Sequence, residues 1–151
     1  FSSNNKDCFA YLSVVYSLEG IVTKEVLEKF KIGILNIHPA ILPTYRGLDG
    51  GLWALKENGE LGVSAYIMDQ GIDTGKVIET YTIYKENFTT IQEYIKGLKQ
   101  LKYKSYFDAI NKFTNDKFKY DKPTILRSQN RGLMSEDILK DLSNTYKNRI
   151  S

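Results

Sequence analysis

The chain has 151 residues, about one domain's worth, and its 42% apolar and 26% charged composition is that of a globular protein rather than a disordered or fibrous one. A single cysteine, Cys8, excludes an intrachain disulfide and fits a reducing, cytoplasmic compartment; with only one histidine beside it, an ordinary zinc site cannot be built. The net charge of +3 is unevenly spread: residues 1–95 carry 8 basic and 12 acidic side chains, residues 96–151 carry 13 and 6, which suits either a basic face for a phosphate-bearing partner or lysine-rich solvated helices.

Asp7 to Val15 is a continuous run of apolar, β-branched and aromatic residues, short enough to be a buried strand. After the connection Tyr16 to Gly20, Thr23 is the expected N-cap of a helix that sets Val26, Leu27 and Phe30 on one face. Gly33 to Ile37 reads as a second buried strand, which makes a βαβ unit with parallel strands. Pro39 to Gly51 holds two prolines and three glycines and is expected to be a loop. Leu52 to Glu57 is a short helix closed by Asn58-Gly59, and Gly62 to Met68 a third strand. The loop Asp69 to Gly75 and a strand from Lys76 to Tyr84 follow. Thr90 opens a long helix with Ile91, Tyr94, Ile95, Leu98 and Leu101 at three- and four-residue spacings. Lys112 to Arg131 is polar and irregular, and Ser135 caps a last helix. No apolar run approaches the roughly 20 residues of a membrane span, and no signal-peptide pattern is visible. Because the sequence opens on Phe1 rather than methionine, the natural start and any targeting segment are expected to lie outside it.

In open α/β sheets, ligands bind at the carboxyl ends of the strands. The segments leaving such ends carry Asn36, His38 and Asp73. An imidazole relays a proton near pH 7, a neighbouring carboxylate fixes its tautomer, and a carboxamide N–H stabilises a developing oxyanion. Those parts suit acyl-type transfer to an amine without a covalent enzyme intermediate. Each has an ordinary reading as well. His38 could be a plain loop histidine, Asn36 a chain-turning residue, Asp73 an Asx turn before Thr74-Gly75, and Pro39 and Pro43 mere stiffeners. Spacing by itself does not decide between them.

Two motifs in order do. Asn36-Ile37-His38-Pro39-Ala40-Ile41-Leu42-Pro43 with Arg46-Gly47, followed by Gly62-Val63 and Asp69-Gln70-Gly71-Ile72-Asp73-Thr74-Gly75, resembles the signature of the folate-dependent formyltransferases over roughly residues 8–110. The resemblance implies an α/β, Rossmann-like, mostly parallel sheet flanked by helices, with the catalytic core in 1–113 and a loop-and-helix extension in 114–151. It implies 10-formyltetrahydrofolate as formyl donor and a small, phosphate-bearing amine as acceptor, an aminated nucleotide sugar or glycinamide ribonucleotide. Carried over by position, Asn36 would stabilise the formyl oxyanion. His38 would stabilise the tetrahedral intermediate and move a proton, and Asp73 would orient His38. The donor's pterin is expected among Leu18, Gly20, Ile21, Val22, Leu27, Gly71, Ile72 and Asp73.

Departures from the family pattern bear on the acceptor. Ala40 replaces the usual serine, and Gly20 falls where some members carry arginine. Trp53 is read either as packing for the short helix or as a wall of the site, and Asp49 either as that helix's N-cap or as a contact for the acceptor amine. A further βαβ portion with a glycine-rich loop is expected ahead of Asp7. The 56 residues after position 95 are too few for the β-barrel of the methionyl-tRNA enzymes, and the tail Gln129–Leu142 resembles the tails of sugar N-formyltransferases, where such segments help form dimers. Nucleic acid and membrane are therefore not the expected partners. The other readings are a formyltetrahydrofolate hydrolase, a catalytically incomplete folate-binding domain, and a nucleic-acid binder with steeply salt-dependent affinity.

Overall fold

The computed structural model describes residues 10–15, 22–114 and 129–147. Four strands form one sheet in the order β1-β2-β4-β5: β1 (Ala10–Val15), β2 (Phe30–His38), β4 (Gly62–Ile67) and β5 (Lys76–Thr82). The parallel arrangement expected of the βαβ unit holds for β1 and β2, with Val15 opposite Asn36. Elsewhere the expectation of a mostly parallel sheet is corrected: β4 runs antiparallel to β2, and β5 antiparallel to β4. The physical reason lies in the connections. The eight residues between β4 and β5 are too few for a crossover helix, so the chain reverses beside itself. The α/β class stands.

The helix after β1 is shorter than its pattern suggests. α1 (Lys24–Leu27) is one turn; Thr23 makes no side-chain cap bond, and Val26 is 39% exposed. Glu28 N–H closes the turn on the Lys24 carbonyl at 2.9 Å. Phe30, expected on that helix, instead opens β2 opposite Ala10. Strand pairing outweighs the helical spacing because one turn of helix has little stability of its own.

The segment expected to be loop up to Gly51 contains the two-residue strand β3 (Arg46–Gly47), and α2 (Gly50–Lys56) begins at Gly50 rather than Leu52. β3 pairs in parallel with β6 (Asn130–Arg131), which lies within the stretch read as irregular. α3 (Ile91–Thr114) starts with reciprocal capping: Glu93 N–H donates to Thr90 Oγ1, and Thr90 N–H to Glu93 Oε2, both at 3.2 Å. α4 (Glu136–Lys147) packs Leu142 and Tyr146 into the same core as Leu35, Ile37, Val63, Tyr94 and Leu98. Residues 129–147 thus fold onto the central sheet and its helix. No helix among the described residues is long and apolar enough to cross a membrane.

Candidate functional site

The end of β2 builds the site. Strand residues two apart share a face, so Asn36 and His38 lie on one side, with Tyr66 and Ser64 opposite them in register on β4. Leu35 and Ile37 take the other side and are fully buried. His38 is no loop histidine: its side chain is 5% exposed. Nε2 lies 2.6 Å from the Tyr45 carbonyl oxygen, which can only accept. The neutral ring therefore carries its proton on Nε2 and turns the Nδ1 lone pair toward Asp73 Oδ2, 3.3 Å away. Gly50 gives the room: a Cβ there would stand 2.5 Å from the Tyr45 carbonyl oxygen and 2.9 Å from Nε2.

Burial pulls the His38 pKa below that of an ordinary imidazole, and the Lys102 charge adds to the fall. The Asp73 carboxylate and the Tyr45 carbonyl oppose it without cancelling it. The ring is thus neutral near neutral pH and faces a carboxylate that would stabilise it once protonated.

Asp73 stands in the β4–β5 loop with φ of 51°, a left-handed conformation that aspartate tolerates better than most residues. Its Oδ2 accepts the Gly47 N–H at 2.8 Å and its Oδ1 the Tyr66 hydroxyl at 2.8 Å. The small turn that Asp73 might have made is made by Asp69, whose Oδ1 takes the Gly71 N–H at 3.0 Å and the Thr74 hydroxyl at 2.6 Å. Asn36 does not turn the chain either. Its Oδ1 accepts the Ile37 N–H at 2.8 Å and, more loosely, the Tyr106 hydroxyl at 3.5 Å, while Nδ2 donates to the Tyr66 hydroxyl at 3.1 Å.

These groups open onto a cleft of about 570 Å³, a size suited to a small molecule. Asn36, His38 and Asp73 line it together, with Val22, Met68 and Ile72 as an apolar wall. Of the residues expected around the donor, Val22, Gly71, Ile72 and Asp73 line the cleft. Leu27 does not; it closes the single turn of α1 and is half-buried away from the cleft. Leu18, Gly20 and Ile21 lie outside the described residues. Among the described residues, no three His, Cys, Asp or Glu side chains cluster as a metal site.

Several lining residues were not foreseen. Tyr66 joins Asn36 to Asp73, and Lys102 reaches the cleft from α3, one turn before Tyr106. Alternation along β4 could have signalled Tyr66, since it is the large polar residue on the Ser64 face. Asn130, Arg131 and Gly132 also line the cleft, because β6 lies on β3. Nothing in their local pattern foretells this. Asp49 does not cap α2 with its side chain; its Oδ2 accepts the Met134 N–H at 3.0 Å, and the residue lines the cleft. Trp53 donates its indole N–H to the Gly132 carbonyl at 2.8 Å and packs on the core, so it supports the wall rather than forming it.

Comparison with known proteins agrees with this arrangement. The formyl transferase family model matches residues 5–110. Over 108 residues the chain is 35% identical to the methionyl-tRNA formyltransferase of Finegoldia magna, which covers 71% of this chain and 34% of that protein. It is 42% identical over 79 residues to the Clostridioides difficile methionyl-tRNA formyltransferase, covering 50% of this chain and 25% of that one. The chain thus spans about a third or less of the length of these relatives. Among solved structures, the formyltransferase PseJ from Anoxybacillus kamchatkensis, in complex with UDP-4,6-dideoxy-4-formamido-L-AltNAc and tetrahydrofolate, superposes with a TM-score of 0.68. It is 26% identical and covers 93% of this chain and 72% of its own. Glycinamide ribonucleotide transformylase 1 from Symbiobacterium toebii shares the fold at a TM-score of 0.65 and 23% identity, covering 74% of this chain and 53% of its own. With its two motifs brought to one cleft and the family model matched along most of its length, this chain belongs to the formyl transferase family.

Proposed function

We propose that this chain transfers a formyl group from 10-formyltetrahydrofolate to a primary amine, the acceptor being an aminated nucleotide sugar ahead of glycinamide ribonucleotide. The observation that carries the reading is the approach of Asp73 Oδ2 to His38 Nδ1 at 3.3 Å beside Asn36, all three on one cleft. The donor supplies the carbonyl carbon that the amine attacks. Its ring system fits the apolar wall of Val22, Met68 and Ile72, with Gly71 and Asp73 bounding the same end. Asn36 turns its Oδ1 toward Ile37 and Tyr106, which leaves the amino end of the carboxamide to donate to the carbonyl oxygen as negative charge grows there. The neutral His38 takes the proton released as the new C–N bond forms, and Asp73 stabilises the imidazolium. The same proton can then pass to the departing nitrogen.

The sugar-nucleotide reading draws support from the Anoxybacillus enzyme, whose likeness extends over 93% of this chain. The second reading, methionyl-tRNA as acceptor, is favoured by the 35% identity to the Finegoldia enzyme. Incubation with 10-formyltetrahydrofolate and each amine separately, with mass analysis of the acceptor, tests both. A formylated amino-sugar nucleotide is the expected product. Formylmethionyl-tRNA would move the assignment to the second reading, formate without any formylated acceptor would make the chain a hydrolase, and an untouched donor in every tube would overturn formyl transfer.

A further inference from the structure

Tyr66 is fully enclosed, on the middle strand β4, opposite Asn36 in the β2–β4 register. A buried phenol must place its single O–H, and here the choice is forced. Asn36 Oδ1 is turned to two donors, so Nδ2 is the end that meets Tyr66, and the phenol oxygen accepts at 3.1 Å. The hydroxyl hydrogen then goes to Asp73 Oδ1, 2.8 Å away. Hydrogen bonds therefore run one way, from the carboxamide through the phenol to the carboxylate. On its other oxygen Asp73 receives the Gly47 N–H and faces His38.

Resting on the formyl-transfer reading, we propose that Tyr66 is the positioning residue of this site, its hydroxyl fixing both the amide end that Asn36 offers to the cleft and the face that Asp73 offers to His38. Its hydroxyl bonds to Asn36 and Asp73. Tyr66 acts through these two residues, and so couples the group that meets negative charge to the pair that takes up the proton. Burial and the Asp73 charge raise its own pKa far above the ordinary phenol value, so it keeps that hydrogen throughout the range in which proteins work.

The single histidine of the chain makes the test direct, because one imidazole Cε1–H resonance reports His38 alone. The charges acting on it are Asp73 from the β4–β5 loop and Lys102 from α3, with Tyr66 of β4 bonded to Asp73; Asp49, Asp69 and Arg131 line the same cleft, and Tyr106 of α3 bonds to Asn36. Y66F removes one oxygen and keeps the ring. Without the hydroxyl, more of the carboxylate charge is left for the imidazolium, so the His38 midpoint moves upward by at least the several tenths of a unit that an NMR titration resolves. In the D73N background, the same Y66F change leaves the midpoint where D73N alone puts it. An unmoved or lowered midpoint in Y66F, or an equal rise without the carboxylate, overturns the proposal. Should Y66F fail to fold, 13C-tyrosine-labelled parent protein carries the test: the Tyr66 Cζ resonance tracks the His38 titration, and one that ignores it overturns the proposal. None of these readouts needs formyl transfer, so an acceptor assay that fails leaves them standing.

Discussion

At the scale of the residue, the site turns on keeping one imidazole neutral in a buried place. The His38 pKa in the folded chain lies below that of an ordinary imidazole, so the unfolded chain binds the proton more readily. The stability that comes from burying the neutral ring is complete above that ordinary value, and it is lost as pH falls through it toward the folded value. We therefore expect the thermal midpoint of the parent to be flat at about pH 7 and above and to drop as the pH falls below about 6.5, the ordinary imidazole value. In H38N that drop flattens. An equal drop in both proteins contradicts the account. Catalysis should follow the same sign, with an acid limb in kcat whose midpoint lies below that of a free imidazole.

At the scale of the element, β3 is two residues long yet connects three parts of the molecule. Gly47 adopts φ of 91°, pairs with Arg131, and gives its N–H to Asp73. A Cβ at Gly47 would sit 2.2 Å from the Arg131 carbonyl oxygen. G47A is expected to cost roughly 1–3 kcal/mol in urea unfolding, from strain at a left-handed position together with the lost close approach. Its formyl-transfer rate should fall as well, since Asp73 loses a donor. An unchanged midpoint counts against the β3–β6 pairing.

What could be read from the chain in advance divides along the same line. The capping of α3 was legible because Thr90 and Glu93 lie within one turn and satisfy each other locally. So was the nearness of Asn36 and His38, which needs only the period of a strand. Phe30 misled because its helical spacing competes with pairing to Ala10, a partner twenty residues away that no local pattern names. β6 left no signal at all: two residues show no periodicity, and the bonds that hold the segment after it, to Trp53 and Asp49, come from residues distant in sequence. The antiparallel direction of β4 depends on where its neighbours stand, a property of the whole sheet.

At the scale of the whole molecule, the segment 129–147 packs into the same hydrophobic core as the central sheet and α3. Met134, Leu142 and Tyr146 are buried in the main cluster, and the Tyr146 ring stacks near Phe88 with centroids 6.1 Å apart. We propose that residues 129–147 belong to an extension that completes this core and the cleft wall at Asn130 to Gly132. L142A should then cost roughly 2–5 kcal/mol and lower one cooperative transition monitored by tryptophan and tyrosine fluorescence together. Two transitions, only one of them moved, would make the extension a separate unit.

In the proposed reaction His38 and Asp73 together take the proton of the attacking amine. This is tested most directly by single-turnover transfer of labelled formyl from 10-formyltetrahydrofolate to the amine that the parent uses, with H38A and D73N run beside it. Each variant is expected to bind the donor still but to transfer at least about 100-fold more slowly, the scale of a lost general acid–base group. The double variant is expected to be little slower than either single one, because the two act as a unit. Transfer at the parental rate in H38A would contradict this proton transfer.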